Sequence, residues 1–212
     1  MKRTIWLIFA IALLSFSIPN SGKKWYSLFD GQSLSGWKVG DNAASFKVEN
    51  GAIVVNGEVA HLFYDGPVMN HQFKNFELSA DVMTTPGSNS GIYFHTQYQQ
   101  GDWPQKGYEV QVNNSHTDWR RTGSLWAIQD VKENYVKDNE WFNMRIKVVG
   151  KQVTVYINNQ LVVGYTEPQN PLREKGMEQR IISSGTFALQ AHDPKSKVYY
   201  KNAWKILIGV LA

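Results

Sequence analysis

Side chains that could do acid–base chemistry recur at alternate positions of short apolar segments. In "KGYEVQVNN", residues 106–114, Glu109 and Gln111 alternate with tyrosine and valines. In "GTFALQAH", Gln190 and His192 alternate with Phe187 and other apolar residues in the same way. A carboxylate and an imidazole commonly serve as general base and general acid. The same two groups are also divalent-metal ligands, although their spacing here is not diagnostic of a metal site.

A third segment, "GIYFHTQY", repeats the pattern and places Tyr93 and His95 on one predicted face. We expect Glu109, His192 and His95 to be the catalytic candidates, with His95 as a third ligand or proton donor. Amide, hydroxyl and indole groups suit the binding of a hydroxyl-rich ligand such as carbohydrate. The expected substrate-binding residues are therefore Gln111, Gln190, Tyr93, Asn89, Trp126 and Trp103.

Simpler explanations exist for the same residues. The polar faces could be ordinary solvent-facing sides of a sheet, although such faces more often carry lysine, glutamate and threonine. Glu109 could form an ion pair with Arg120, Arg121 or a lysine. Asn89 could simply form the turn that enters its strand.

Alternating apolar and polar residues predict that β-strands position these groups. Phe76, Leu78, Ala80 and Val82 alternate with polar residues, the period of a half-buried strand. "MRIKVVGKQVTVYINNQLVV" predicts consecutive hairpins, and further strands are expected at 45–48, 52–55, 91–98, 107–112, 122–127, 185–191 and 198–208. The fold expected is all-β, a two-sheet antiparallel β-sandwich or jelly roll, with a closed barrel as the alternative. The charged segment 165–184 is expected to be a surface loop bordering a site.

Composition limits the possible partners and the compartment. Lys2 and Arg3 precede an apolar run, so residues 1–21 are predicted to be a signal peptide and residues 22–212 a single exported domain, periplasmic or extracellular. An uncleaved membrane anchor is the weaker reading, and membrane contact is expected only during export. The chain has no cysteine and a net charge of +4 without a basic stripe. We therefore expect neither disulfides nor nucleic-acid binding, and no nucleotide cofactor because a glycine-rich phosphate loop is missing.

Several motifs occur together in an order that resembles one known family. They are "WYSLFDGQSLSGWKV", "FKNFELSADV", "SNSGIYFHTQY", "KGYEVQVNN", "TGSLW", "NEWFNMRIKVVGKQVTVYIN" and "FALQAHD". This series is similar to the 3-keto-disaccharide hydrolase domain family over residues 25–208. The resemblance implies a concanavalin A-like jelly roll and cleavage of glycosides whose sugar is oxidised at C3. His95 stands where many members carry arginine, and the segment before "NFEL" is longer than usual.

The implied reaction requires a particular set of groups. A C3 ketone acidifies the C2 proton, so elimination needs a base at C2, stabilisation of the enolate oxygen and an acid at the leaving oxygen. Glu109 and His192 would share the base and acid roles, or would hold a divalent metal that polarises the ketone. The alternative function is a non-catalytic carbohydrate-binding module. An ordinary endo-glucanase is disfavoured because the E-x-D-x-x-E cluster is absent.

Overall fold

The computed structural model describes residues 25–208, apart from the side chains of 202–205 and 208, and these residues form thirteen β-strands. The predicted signal peptide, 1–21, lies outside the described residues. Two short 3-10 helices also occur, at Ala43–Ser45 and Val68–His71. The strands are β1 (Trp25–Ser27), β2 (Trp37–Val39), β3 (Phe46–Glu49), β4 (Ala52–Val55), β5 (Ala60–Tyr64), β6 (Phe76–Thr84), β7 (Ser90–Thr96), β8 (Tyr108–Val112), β9 (Phe142–Val149), β10 (Gln152–Ile157), β11 (Gln160–Thr166), β12 (Thr186–Ala191) and β13 (Val198–Ile208).

The strands form two antiparallel sheets. The larger sheet has the order β11-β10-β9-β6-β13-β4-β3, with β1 also paired to β13, and the smaller has the order β2-β5-β12-β7-β8. Buried side chains of both sheets form one hydrophobic cluster between them. The expected all-β, two-sheet antiparallel jelly roll is therefore confirmed, and the closed barrel is excluded for the described residues.

The larger sheet follows the alternation of its sequence. Phe76, Leu78, Ala80 and Val82 of β6 are buried, and the residues between them are partly exposed. The strands β9, β10 and β11 form consecutive hairpins, and the second turn contains Asn158, which has a positive φ of 47°. Asparagine tolerates this backbone conformation better than most residues do. The predicted hairpins are thus confirmed.

The smaller sheet is buried on both faces. Every residue of β5, β7, β8 and β12 is buried. The inner faces join the main core, whereas Phe63, Tyr93 and Ala188 form a separate apolar cluster on the outer face. Polar groups on this outer face are therefore withdrawn from solvent, and each must find a partner or face a ligand.

The strand predicted at 122–127 is wrong. Gly123 and Ala127 have positive φ values of 95° and 59°, which turn the chain away from an extended path. Only isolated bridges form there, from Leu125 to Val110 and to Gln129. The segment still runs beside β8, because the Trp126 amide donates to the Glu109 carbonyl at 3.0 Å. It therefore covers one edge of the smaller sheet.

Within residues 25–208 there is no helix of the length and apolarity needed to cross a membrane.

Candidate functional site

A cavity of about 510 Å³ opens on the outer face of the smaller sheet. This volume is within the range of roughly 300–1,000 Å³ found for ligand pockets. Strands β7, β8 and β12 form its floor, and the loop 167–185 forms part of its wall through Gly176, Met177 and Arg180. The expectation that this charged segment borders a site is confirmed. Eight of the nine expected site residues line the cavity: Glu109, His192, Gln111, Gln190, Tyr93, Asn89, Trp126 and Trp103.

Glu109 lies on the cavity floor and is only 4% exposed. The Tyr93 hydroxyl donates to its Oε2 at 2.8 Å, and the Gln190 amide donates to its Oε1 at 2.9 Å. Both donors come from the neighbouring strands β7 and β12. The alternative ion pair with Arg120 does not form, because Arg120 is bound to Asp130 at 3.2 Å. Glu109 is therefore a hydrogen-bonded carboxyl group facing a cavity.

Burial raises the pKa of Glu109 above its usual value. Positive charge from Arg180, the hydrogen bonds from Tyr93 and Gln190, and charge on His192 act in the opposite direction but do not cancel it. A raised carboxyl pKa makes the carboxylate a stronger base than a solvated one. Glu109 thus has the environment of a general base.

His192 follows β12, and one nitrogen of its ring contacts the carboxylate of the next residue, Asp193. Its Nδ1 lies 2.8 Å from Oδ2 of Asp193, which also accepts a hydrogen bond from the Ser196 hydroxyl at 2.7 Å. Burial opposes ionisation of Asp193, but these bonds and the Lys195 amide outweigh it and lower its pKa to about 2. Because an ionised carboxylate can only accept, His192 Nδ1 carries a proton and Nε2 remains available.

A second histidine, His116, faces His192 with 5.3 Å between their ring centroids. Donor atoms of His116, His192 and Asp193 lie within 4.8 Å of one another, so these three residues could hold a divalent cation. Their hydrogen bonds compete with such binding. The Asp118 amide donates to His116 Nδ1 at 3.1 Å, which leaves the proton of the neutral ring on Nε2. The metal ligands considered from the sequence were Glu109, His192 and His95. These three do not come together, because His95 does not line the cavity.

The polar network continues along the cavity floor beyond Glu109. The Gln111 amide donates to Asn89 Oδ1 at 2.8 Å, so Asn89 does more than form a turn. The Gln190 Oε1 is buried and has no hydrogen-bond partner among residues 25–208. Because Gln190 lines the cavity, this unpaired acceptor is a candidate partner for a ligand hydroxyl.

Two tryptophans border this polar floor. Trp103 is 40% exposed, and its ring lies 5.4 Å from the His192 ring and 5.5 Å from that of His61. Trp126 lies at the opposite side, beside the β8 edge. Flat apolar rings beside amide and hydroxyl groups suit the two kinds of surface that a sugar ring presents.

The placement of His95 on the polar face with Tyr93 is wrong. The register of β12 against β7 shifts from Thr186–Thr96 to Phe187–Phe94, so His95 is the extra residue of a β-bulge with φ of 56°. Its ring packs against Phe76, with centroids 5.7 Å apart, and it does not line the cavity.

The hydrogen bonds of His95 are internal. Its Nε2 lies 2.9 Å from the Lys74 carbonyl, and its Nδ1 accepts from the Ser183 amide at 3.2 Å. Burial lowers its pKa to about 4. His95 is therefore a neutral residue of the core that ties the loop 167–185 to β7.

The sequence reasoning missed several groups at the site. Asp193 directly follows His192, and that adjacency was a usable signal. Arg180 and Asp118 line the cavity from loops, and His116 lies beside His192. Strand alternation carries no information about loop residues, so no signal in the sequence pointed to these three.

Comparison with known proteins places the chain among carbohydrate-active relatives. Residues 24–205 match the profile of the 3-keto-alpha-glucoside-1,2-lyase-like domain. A 3-keto-disaccharide hydrolase of Bacteroides thetaiotaomicron is 28% identical, over 71% of this chain and 61% of that protein. The match thus spans less than two thirds of the relative's length.

Solved structures share the fold. A Parabacteroides distasonis protein provisionally assigned as a glycosyl hydrolase superposes with a TM-score of 0.72 at 24% identity, covering 86% of this chain and 93% of that one. The carbohydrate-binding module CBM66 of Bacillus subtilis has a TM-score of 0.58 at 12% identity, covering 79% and 93%. At these identities the likeness concerns the fold alone.

Proposed function

Because the chain belongs to the 3-keto-alpha-glucoside-1,2-lyase-like domain family, we propose that it cleaves 3-keto-glycosides by elimination and subsequent addition of water. The observation that carries the proposal is Glu109, a buried carboxyl group with a raised pKa on the floor of a sugar-sized cavity. The name of the Bacteroides thetaiotaomicron relative, a 3-keto-disaccharide hydrolase, supports the same substrate class.

Glu109 is the proposed base. Its carboxylate takes the C2 proton, and the C–H electron pair forms the C2–C3 double bond of an enolate. The hydrogen bonds from Tyr93 and Gln190 hold both carboxylate oxygens in place, so the base is oriented before the substrate binds. A buried position also withholds the competing water that would solvate it.

His192 is the proposed acid. When the enolate collapses, the C1–O bond breaks and the leaving oxygen takes the proton from His192 Nε2. The ionised Asp193 holds the ring in position by accepting a hydrogen bond from Nδ1. Water then enters, adds to C1 and returns a proton to His192. The Glu109 proton exchanges with solvent once the leaving group has departed, and Glu109 then protonates C2, which completes a hydrolysis.

Gln111, Asn89 and the free Gln190 Oε1 are proposed to bind sugar hydroxyls, with Trp103 and Trp126 beside the sugar ring.

The protein is also proposed to be exported, to the periplasm or the extracellular space, because its sequence begins with charged residues followed by an apolar run.

A divalent cation held by His116, His192 and Asp193 would compete with the proton that the proposed acid carries at His192 Nε2. The steps assigned to Glu109 and His192 do not depend on such a cation.

The test compares a 3-keto-disaccharide with its unoxidised parent, using purified protein and following the monosaccharide released. We expect release from the keto sugar alone, and its loss in Glu109→Gln with unchanged melting temperature. Cleavage of the parent at a similar rate would contradict the proposal. Binding of either sugar without any cleavage would favour a carbohydrate-binding module, the second candidate suggested by the fold shared with CBM66.

A further inference from the structure

Arg180 lines the cavity and carries a buried hydrogen-bond donor without a partner among the described residues. Its side chain comes from the loop 167–185, lines the cavity, and is only 6% exposed. Within residues 25–208, its Nη1 atom is buried without a hydrogen-bond partner. Buried guanidinium nitrogens are normally paired, because an unpaired one loses its hydration without compensation. Such a donor in a cavity is suited to an oxygen of the ligand.

The surroundings of Arg180 fix where that oxygen would lie. The guanidinium carbon is 4.8 Å from the centre of the Trp126 ring, a cation–π contact that restrains its position. Trp126 in turn lies beside Glu109, to whose carbonyl its amide donates. Arg180 and Glu109 line the same cavity, and the charge on Arg180 lowers the pKa of Glu109 against the effect of burial.

His192 approaches Glu109 from another direction. It follows β12, which is separated from β8 by β7, whereas Trp126 lies along the outer edge of β8 and its ring contacts Arg180. Glu109 therefore lies between Arg180 and His192. In a 3-keto-glycoside, C2 lies between C3, which bears the ketone, and C1, which bears the leaving oxygen. If the substrate binds with its C2 proton at Glu109 and its C1 carbon toward His192, then C3 lies on the opposite side of C2. The C3 oxygen is then directed toward Arg180.

We propose that Arg180 binds the C3 oxygen of the substrate and stabilises the negative charge that this oxygen acquires when Glu109 removes the C2 proton. The inference rests on the proposed function and adds the group that recognises the keto form. In this step the C=O electron pair moves onto oxygen while the proton moves to Glu109, so the charge passes from the carboxylate to an oxygen beside the guanidinium. A preorganised donor aimed at developing charge contributes mainly to the transition state.

The test measures kcat and KM of the full chain and of Arg180→Gln with a 3-keto-disaccharide. We expect kcat to fall roughly 100- to 1,000-fold, the usual effect of removing one such donor, with a smaller change in KM. Arg120→Gln is the matched control, since the Arg120 guanidinium also lies 4.8 Å from the Trp126 ring but is paired with Asp130. It should change kcat less than threefold.

Two further variants of Arg180 distinguish this role from a structural one. In Arg180→Ala, added guanidinium ion should restore part of kcat, and Arg180→Lys should retain more activity than Arg180→Gln because it keeps the charge. A normal kcat in Arg180→Gln, or a rise in KM at unchanged kcat, would overturn the inference. Failure of the wild-type protein to cleave the keto sugar would instead refute the proposed function, so the two failures are distinguishable.

Discussion

The carboxylate of Glu109 lies directly over Gly91, the residue of β7 that pairs with Gln111. A Cβ atom at position 91 would be 2.3 Å from Glu109 Oε1 and 2.9 Å from its carboxyl carbon. Neither distance is compatible with non-bonded contact. The glycine therefore makes room for the carboxyl group to reach Tyr93 and Gln190 across the sheet.

We expect Gly91→Ala to displace Glu109 and lower kcat about 100-fold, since a displacement of about 1 Å can have that effect. Gly164→Ala in β11 is the control, because a Cβ there would meet no atom within 4 Å. Steady-state kinetics with a 3-keto-disaccharide would measure both. Equal activity in the two variants would mean that the position of Glu109 is unimportant.

Tyr93→Phe should shift the pH dependence of the reaction. A base must be ionised, so kcat/KM falls as pH drops through the raised pKa of Glu109. The Tyr93 hydroxyl donates to the carboxylate and favours its charged form. Removing it should raise this pKa further and move the acidic limb of the profile to higher pH. Tyr98→Phe, outside the cavity, should leave the limb in place, and a limb unmoved in Tyr93→Phe would argue against Glu109 as the titrating base.

Two histidines that look alike in the sequence should respond oppositely to mutation. His192→Asn should reduce kcat roughly 100- to 10,000-fold with little change in melting temperature, because it removes a partly exposed proposed acid. His95→Ala should lower the free energy of unfolding by about 2–4 kcal/mol, since it leaves a cavity in the core and unpaired groups at Lys74 and Ser183. Its kcat should change less than tenfold. A large loss of kcat in His95→Ala, together with normal kcat in His192→Asn, would mean that His95 and not His192 takes part in the reaction.

These histidines also show how far sequence reasoning reaches. Alternation correctly placed Tyr93, Glu109, Gln111 and Gln190 on one face, because a regular strand has a period of two. It failed at His95, because His95 is the extra residue of a β-bulge. The bulge interrupts the alternation, so the side on which His95 lies does not follow from a period of two.

The loop residues were missed for a different physical reason. Arg180 and His116 reach the site through tertiary folding of irregular segments, which have no periodicity from which an orientation can be read. The loop 167–185 could be expected to border the site, but which of its charged residues turns inward depends on contacts such as that of Arg180 with Trp126.

Zinc should inhibit the proposed reaction, and chelators should leave it unaffected. The proposed acid uses His192 Nε2, and Zn²⁺ held with His116 and Asp193 would compete with the proton at that atom. We expect inhibition by added Zn²⁺ to weaken in His116→Gln. Loss of activity with chelator, restored by Zn²⁺ or Mn²⁺, would show instead that a cation takes part in the reaction.

The most direct test of the central claim is whether hydrogen at C2 exchanges during cleavage. The reaction would be run in D₂O with a 3-keto-disaccharide, and deuterium at C2 of the released keto sugar measured by NMR. Samples without enzyme and with Glu109→Gln would give the background exchange. Elimination with Glu109 as base predicts deuterium at C2 well above that background. Rapid cleavage with C2 hydrogen retained would contradict it and indicate direct displacement at C1.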